Sequence, residues 1–397
     1  MKILLTGANG YIGTRLLPVL LENGHDVICM VRDPRRFALE SDFGNKVQII
    51  TGDLLNPESL KNIPEDIEAV YYLVHSMSGS GADFADLELK SAQNFVQQIQ
   101  KTACTQIIYL TGIANDDELS KHLTSRLAVE EELKSSGISY TILRAAIIIG
   151  SGSASFEIIR DLAEKLPVMV APKWVKTRCQ PIAIRDVLAY LSGVLKNEKA
   201  YNEVFDIGGP DILTYKQMLL QYAESRGLKR WIITVPVLTP KLSSLWLNLV
   251  TAVPYSLARS LVDSMKNEVI CKNDNIQKAV PKECLTYKEA LNLAFEKIEQ
   301  NSIVSSWKDA LNRGYLETSF MDQVKVPQNG TVEYKVKMPF QRKAEEVFEN
   351  IWGIGGSRGW YYLDWLWSLR GFLDKMFGGV GTRRGRTSNV SLQLAMC

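Results

Sequence analysis

The sequence opens on a glycine-rich stretch between two apolar patterns, Met1-Lys-Ile-Leu-Leu-Thr-Gly-Ala-Asn-Gly-Tyr-Ile-Gly13. The apolar run 3–5 predicts a short buried strand, and Thr6 and Gly7 begin a tight turn. From Tyr11 to about Leu21 apolar residues recur at helical spacing. A strand, a glycine turn and a helix in this order predict a dinucleotide site, because the free N–H groups at a helix N-terminus attract a pyrophosphate.

Each glycine of this stretch has a predicted role in holding the cofactor. Gly7 permits the turn, Gly10 lets the backbone approach a phosphate, and Gly13 lets the helix lie close to the strand. The alternative is a glycine turn with a structural role only. The predicted cofactor-binding residues of this stretch are Gly7, Asn9, Gly10, Tyr11, Ile12 and Gly13.

Composition excludes several classes of protein. The 397 residues carry a net charge of only +2, so nothing favours a nucleic-acid partner. The six cysteines form no CxxC pair and the three histidines are widely spaced, which predicts reduced thiols, no metal site and a cytoplasmic location. The N-terminal apolar run is too short for a signal peptide, and no stretch of 18 apolar residues predicts a transmembrane helix.

Strands and helices alternate through residues 1–145. Near-continuous apolar strands separated by helices predict a parallel sheet covered on both faces, which is a Rossmann-type, doubly wound α/β fold. The predicted later strands are Asp26–Val31, Lys46–Thr51, Ala69–Val74, Gln106–Thr111 and Ser139–Ala145, with long helices at Ala82–Lys101 and Glu118–Ser135.

The end of the second strand predicts which dinucleotide binds. An acidic residue there would accept hydrogen bonds from the ribose hydroxyls of NAD, but this strand is followed by Arg32. A guanidinium can hold a 2′-phosphate with two hydrogen bonds, so NADP is favoured. The neighbouring Asp33 keeps NAD open, and a solvated arginine loop is the alternative. Asp53 and Leu54 follow the third strand, where they would meet the adenine.

The rest of the chain is predicted to contain a substrate region and a separate C-terminal segment. Residues 1–150 form the cofactor domain, 151–300 a smaller, mostly helical substrate region, 301–330 a linker and 331–397 an incomplete α+β segment rich in aromatic residues. The stretch 150–156 is predicted to be a loop of small residues, and Thr214 to cap a helix. Residues 237–262 are interpreted as a helical lid, with a lipophilic pocket or a peripheral membrane contact as the alternative.

The glycine turn, Arg32, Gly52-Asp53, Tyr109-Leu-Thr-Gly112 and Arg144-Ala145 together resemble the short-chain dehydrogenase/reductase superfamily. The resemblance is to its extended and atypical branch of NmrA-like and epimerase-like proteins, over roughly residues 1–300. The segment from about residue 331 resembles the beginning of a helix-grip domain of unknown function. In that resemblance the domain continues past Cys397, so a truncated or alternative C-terminus is expected.

The resemblance also implies a catalytic apparatus, and this chain departs from it. The superfamily uses a Tyr-x-x-x-Lys pair after the fifth strand, in which tyrosine transfers the proton and lysine lowers its pKa and holds the nicotinamide ribose. The matching positions here are His122 and Arg126, and Thr111 lies near the place of the usual serine. His122 is either an acid–base residue or a surface histidine at a helix start. His75, after the fourth strand, is a second candidate beside the nicotinamide, and its alternative is a capped loop.

Three functions follow from these residues. The first is an NADP-dependent oxidoreductase that acts on a small apolar carbonyl or alcohol, with Arg126 on the ribose and His122 or Tyr109 relaying the proton. The second is a dinucleotide sensor of the NmrA type without catalysis. The third is a sugar-nucleotide epimerase or dehydratase, which ranks lower because that chemistry normally keeps the tyrosine and lysine. The resemblance leaves a homodimer open, since helices beside the fifth strand often pair in this superfamily.

Overall fold

The computed structural model describes residues 1–37, 46–74, 83–114, 121–235 and 267–299, and a few positions beyond them: 324–325, 333–334, 341, 343, 346, 365–366 and 369–370. The chain divides into two compact units, Met1–Glu333 and Tyr334–Cys397. The first unit contains the elements described below. Of the second unit, the structure describes too little to test the predicted α+β arrangement, although Trp365 from the aromatic run is exposed.

The strands are numbered in chain order. They are β1 Lys2–Thr6, β2 Asp26–Val31, β3 Val47–Thr51, β4 Ala69–Tyr72, β5 Gln106–Gly112, β6 Ser139–Ala145, β7 Ile148–Ile149, β8 Val168–Ala171, β9 Arg178–Cys179, β10 Ile182–Ala183, β11 Glu203–Ile207, β12 Leu213–Thr214, β13 Trp231–Thr234, β14 Val324–Lys325 and β15 Glu333–Tyr334.

The helices are numbered in the same way among the described residues. They are α1 Tyr11–Glu22, α2 Pro57–Leu60, α3 Asp83–Ile99, α4 Lys121–Lys134, α5 Ala154–Lys165, α6 Ile184–Gly193, α7 Tyr215–Ser225, α8 Ile276–Ala279 and α9 Tyr287–Glu299. None of them is long and apolar enough to cross a bilayer.

Seven parallel strands form the central sheet, in the order β11-β6-β5-β4-β1-β2-β3. The middle strands are buried on both faces because helices cover each side, which is why they consist of continuous apolar runs. The strand order reverses beside β1, so the carboxyl ends of β1 and β4 flank a crevice where ligands of such sheets bind. The predicted Rossmann-type fold is therefore confirmed.

Elements beyond residue 150 complete this sheet and its core. Strand β11 extends the sheet beyond β6, and α6 packs against α1 in one apolar core that includes Leu17 and Leu191. A second core surrounds Phe156 and Tyr222, where α5, α7 and α9 meet. The region predicted to hold the substrate thus belongs to the same compact unit as the glycine turn.

Two local predictions can be compared with the structure around these elements. The stretch 150–156 is only partly a loop, because α5 begins at Ala154 and the Ser153 hydroxyl accepts a hydrogen bond from the Phe156 N–H at 3.2 Å. Thr214 does cap α7, and Gln217 completes a capping box with it. The predicted lid at 237–262 lies outside the described residues.

Candidate functional site

The turn from β1 to α1 can be built only with glycine at two positions. Gly7 has a φ of +66°, and a Cβ there would lie 2.6 Å from the carbonyl oxygen of Leu73. A Cβ on Gly13 would lie 2.3 Å from the carbonyl oxygen of Gly7. Gly13 was expected to bring the helix close to the strand, whereas its tightest contacts are with the turn itself. The turn is therefore folded back tightly under the first turn of α1.

The N-terminus of α1 follows this turn directly. Gly10 occupies the N-cap position without a side-chain hydrogen bond, and its own N–H donates to the carbonyl oxygen of Gly7 at 2.8 Å. The next N–H groups, from Tyr11 to Gly13, have no acceptor within the helix. Asn9 and Gly10 are only half-buried, so the backbone here is within reach of a bound group.

Two predicted cofactor residues of α1 direct their side chains elsewhere. A Cβ at Gly150 would lie 2.6 Å from the Tyr11 hydroxyl, and burial raises the pKa of that hydroxyl to about 12. The Arg15 guanidinium stacks 4.2 Å from the Tyr11 ring centre and donates to the Ser151 carbonyl oxygen at 2.8 Å. Ile12 packs against the core under the sheet. The side chains of Tyr11 and Ile12 thus contact other parts of the protein, and their contact with a nucleotide stays a prediction.

The loop after β2 places the two charged residues that are predicted to distinguish NAD from NADP, Arg32 and Asp33, in different surroundings. The Asp33 carboxylate accepts two hydrogen bonds from the Arg35 guanidinium, at 3.0 and 3.1 Å, and one from the Arg35 backbone N–H. Arg32 is exposed at the end of β2, and within the described ranges no ion pair of its guanidinium is found. The acidic group is thus engaged by its neighbour, while the guanidinium at the strand end is accessible to an anion.

The predicted adenine contacts lie in the turn after β3. One Asp53 carboxylate oxygen accepts the Leu55 N–H at 3.0 Å, and the Asp53 N–H donates to the Ser59 hydroxyl at 2.9 Å. Leu54 is buried, and its carbonyl oxygen accepts a hydrogen bond from Asn94 of α3. The Asp53 carboxylate therefore stabilises the turn in which it lies. The hydrogen bond from Asn94 connects that turn to α3.

Arg126 lies at the carboxyl end of β5, next to the crevice. A Cβ on Gly112 would lie 2.9 Å from a terminal guanidinium nitrogen of Arg126, so glycine leaves room for this side chain at the strand end. The Arg126 Nε is buried and, within the described part of the chain, has no hydrogen-bond partner. Such a buried donor is suited to an acceptor on a bound molecule. Thr111, the residue before Gly112, is 4% exposed.

Buried polar groups surround Arg126 on the α3–α4 side of the sheet. The Ser125 hydroxyl donates to Glu88 at 2.6 Å, and both side chains are buried. Tyr109 is 1% exposed, and burial raises its pKa to about 12 although the positive charge of Arg126 opposes that rise. Tyr109 therefore lies in the core as a neutral phenol, away from solvent.

The two histidines predicted to lie at the nicotinamide are described in part or not at all. His75 lies outside the described residues. His122 lies in the first turn of α4, four residues before Arg126 on the same helix, and its side chain is not described. Their catalytic roles stay predictions.

Sequence reasoning missed Glu88, although the sequence contains a signal for it. The buried face of α3 is formed by Ala92, Phe95, Val96 and Ile99, and Glu88 occupies the same face one turn earlier. A carboxylate in an apolar stripe is a costly exception that needs a partner. Its partner, Ser125, is on the helix that carries Arg126.

Known proteins are similar in sequence to parts of this chain. Residues 7–166 match the model of a family described as NAD(P)H-binding, and residues 333–395 match a family of unknown function. Divinyl chlorophyllide a 8-vinyl-reductase of Arabidopsis thaliana is 22% identical over 227 residues, 53% of this chain and 54% of that protein. Photosystem II assembly factor Ycf39 of Cyanophora paradoxa is 26% identical over 214 residues, 53% of this chain and 64% of that protein. The chain thus spans about half to two thirds of the length of these curated relatives.

Solved structures with the same fold include reductases and an epimerase. NADPH-dependent quinone oxidoreductase QOR2 of Escherichia coli, complexed with NADPH, superimposes with a TM-score of 0.59 at 17% identity over 74% of this chain and 99% of that one. Triphenylmethane reductase of Citrobacter, complexed with NADP(H), gives 0.59 at 19% identity over 74% and 100%. A nucleoside-diphosphate-sugar epimerase of Staphylococcus aureus gives 0.59 at 18% identity over 73% and 99%.

The residues of this chain fit a nicotinamide dinucleotide. The tight glycine cradle, the helix N-terminus above it and the buried Nε of Arg126 all suit the groups of such a cofactor. Residues 7–166 are an NAD(P)H-binding domain, and the fold of the chain is one that solved reductases and an epimerase share.

Proposed function

We propose, from the premise that residues 7–166 bind NAD(P)H, that this protein is an NADPH-dependent reductase of a small, fairly apolar carbonyl compound, with a conjugated carbonyl such as a quinone as the favoured acceptor. The observation that carries the proposal is the position of Arg126, whose guanidinium lies against Gly112 at the carboxyl end of β5. Bound NADPH would supply a hydride from its nicotinamide ring.

The preference for NADPH rests on the loop after β2. Arg32 is exposed at the strand end, where a 2′-phosphate would lie, and Asp33 is engaged by Arg35. A guanidinium can bind a phosphate through two parallel hydrogen bonds, whereas an engaged carboxylate offers less to the ribose hydroxyls of NAD.

Arg126 would take over part of the role of the usual lysine. Its guanidinium has donors for a ribose hydroxyl or for a substrate oxygen that gains negative charge. An arginine side chain does not serve as a proton donor in proteins. Its place in the reaction is therefore to bind and orient.

The absence of a tyrosine at position 122 favours an acceptor that needs little help with protonation. A reduced quinone spreads its negative charge over a conjugated ring, so its oxygen can take a proton from water. Tyr109 is an unsuitable donor, since it is 1% exposed with a raised pKa. The named reactions of QOR2 and triphenylmethane reductase, on quinones and on dyes, support a conjugated acceptor for this chain.

The second candidate is a dinucleotide sensor that binds without catalysis. The observation that favours it is the replacement of the tyrosine and lysine by His122 and Arg126. A sensor would need the cradle and the 2′-phosphate contact but no proton donor.

The test is oxidation of NADPH by the full chain with a panel of quinones, aldehydes and ketones. We expect turnover with quinones, and a fall in kcat/KM of roughly 100-fold in Arg126→Ala that Arg126→Lys partly restores. Lys199→Ala removes an exposed charge just before β11. Lys199 lies at the amino ends of the strands and Arg126 at their carboxyl ends, so this variant should leave the rate unchanged. Tight NADPH binding without turnover on any acceptor would reject the reductase and favour the sensor.

A further inference from the structure

An amphipathic two-stranded ribbon lies in the part of the first unit that follows residue 150. Strands β8 and β13 pair in parallel, with Trp231 opposite Val168 and Ile233 opposite Val170. These four side chains are 43–62% exposed. Met169 and Ile232, which alternate with these residues along the two strands, are buried in the core around α5 and α7.

Exposed apolar side chains in this number and arrangement are unusual for a protein surface. Single exposed apolar residues are normal, but a contiguous group on one face of a ribbon marks an interaction surface. Tryptophan at its edge is characteristic of a surface that meets a water–lipid boundary, because the ring is apolar and its N–H is polar.

The chain on both sides of the ribbon is basic. Residues 165–176 contain three lysines and residues 226–235 contain two arginines and one lysine, and neither stretch contains an acidic residue. Lys173, Lys176 and Lys229 are exposed, and within the described residues none of them forms an ion pair. The Lys216 ammonium lies 3.4 Å from the Ile232 carbonyl oxygen, beside β13.

Acidic groups from a neighbouring element balance part of this charge. Asp161 on α5 pairs with Lys165 at 3.0 Å, and Glu164 pairs with Arg226 at 3.5 Å. The Arg230 guanidinium donates to the backbone carbonyl oxygens of residues 163 and 164. The lysines at 173, 176 and 229 therefore supply the excess positive charge beside the apolar face.

We propose that the β8–β13 ribbon, with these lysines, is a docking surface for an anionic lipid bilayer. The four apolar side chains would enter the boundary between headgroups and acyl chains, and the lysines would contact anionic headgroups. A second copy of the chain is disfavoured as the partner, because two identical basic surfaces repel each other. The proposal is independent of the reductase function, since it involves none of the residues assigned to the nucleotide.

The experiment is flotation of the full chain with vesicles of phosphatidylcholine alone or mixed with phosphatidylglycerol. We expect binding to the anionic vesicles that falls as salt is raised, because exposed charges are screened. The double variants Trp231→Ser/Ile233→Ser and Lys173→Gln/Lys176→Gln should each lower vesicle binding by about tenfold or more, since each lysine near an anionic surface contributes roughly fivefold.

Matched controls separate this surface from other exposed groups. Leu87→Ser changes a side chain of α3 that is 41% exposed, and Lys199→Gln changes an exposed lysine outside the ribbon. Both should bind vesicles as the unchanged chain does, and retained NADPH binding reports that each variant is folded.

Two results would overturn the proposal. One is vesicle binding that the ribbon variants leave unchanged, or no vesicle binding at all. The other is a dimer in sedimentation velocity that the ribbon variants dissociate while anionic vesicles fail to bind, which would assign the surface to self-association.

Discussion

At the scale of single residues, the loop after β2 shows how one ion pair can set cofactor choice. Asp33 and Arg32 are adjacent, and either could meet the adenosine ribose. Asp33 caps the short helical turn at 34–36 and is held by Arg35 through both carboxylate oxygens. The guanidinium of Arg32 is exposed beside this pair, which is the arrangement expected of a site that prefers the phosphorylated cofactor.

We therefore expect Arg32→Asp to reverse the preference between cofactors. NADPH should bind roughly tenfold or more weakly, because a charge-assisted hydrogen bond is lost and a repulsive charge is introduced. NADH binding should be equal or improved, since the new carboxylate can accept from the ribose hydroxyls. Titration by tryptophan fluorescence measures both constants, and Lys199→Ala is the control for general charge. Unchanged NADPH affinity in the variant would place the 2′-phosphate elsewhere.

Residues of this kind are the part of the site that sequence reasoning recovers best. Gly7 follows from a local rule of turn geometry that needs no knowledge of distant residues, whereas the cofactor role of Arg32 stays a prediction. Glu88 and the contact between Arg126 and Gly112 depend on which elements meet, so they emerge only from the folded chain.

At the scale of elements, helix α4 is held to the sheet by a buried ion pair. Glu130, whose side chain is 1% exposed, accepts from the Arg144 Nε of β6 at 2.9 Å, and the hydrogen bond raises the pKa of Arg144. The same helix carries Arg126 one turn earlier, facing the carboxyl end of β5. The ion pair therefore supports the position of the proposed ribose contact.

Arg144→Ala should destabilise the protein by about 3 kcal/mol, because it leaves the buried Glu130 carboxylate with only the Lys134 ammonium, 4.0 Å away. The double variant Arg144→Leu/Glu130→Leu should recover most of that loss, since replacing both partners removes the buried charge. Urea unfolding of the single and double variants measures the difference. Equal losses in the two would mean that packing, rather than charge, dominates at this contact.

The strands were predicted more accurately than the connections between them. β2 and β6 have the predicted bounds, and β2 is buried over the whole of its apolar run because helices cover both faces of the sheet. The ribbon of β8 and β13 was not predicted, since its short alternating strands pair across about sixty residues of chain. Periodicity identifies an element, but it does not identify a partner so distant in sequence.

At the scale of the whole molecule, the described groups proposed to bind the nucleotide lie in the first unit. The glycine turn, Arg32, Arg126 and the three apolar cores all lie before residue 300. The second unit, Tyr334–Cys397, nearly coincides with the match to the family of unknown function at 333–395. Cofactor binding and the role of the C-terminal segment are thus separable by experiment.

A chain that ends at Glu333 should keep its affinity for NADPH within about twofold, because the groups proposed to bind the nucleotide all belong to the first unit. Its melting temperature should still rise on addition of NADPH, since a ligand that binds only the folded state stabilises it. Fluorescence titration and thermal melts of the two chains make the comparison. A shortened chain that folds but loses the cofactor would show that the second unit contributes to the site.

The contact between α1 and the loop after β7 also has a kinetic consequence. Tyr11 lies against Gly150, and Arg15 holds the Ser151 carbonyl oxygen, so the helix that would receive the pyrophosphate is fastened to the loop that leads into the substrate region. A nucleotide that orders this helix would order the loop as well. For the proposed reductase we therefore expect a compulsory order, in which the coenzyme enters before the acceptor and its oxidised form is the last to leave.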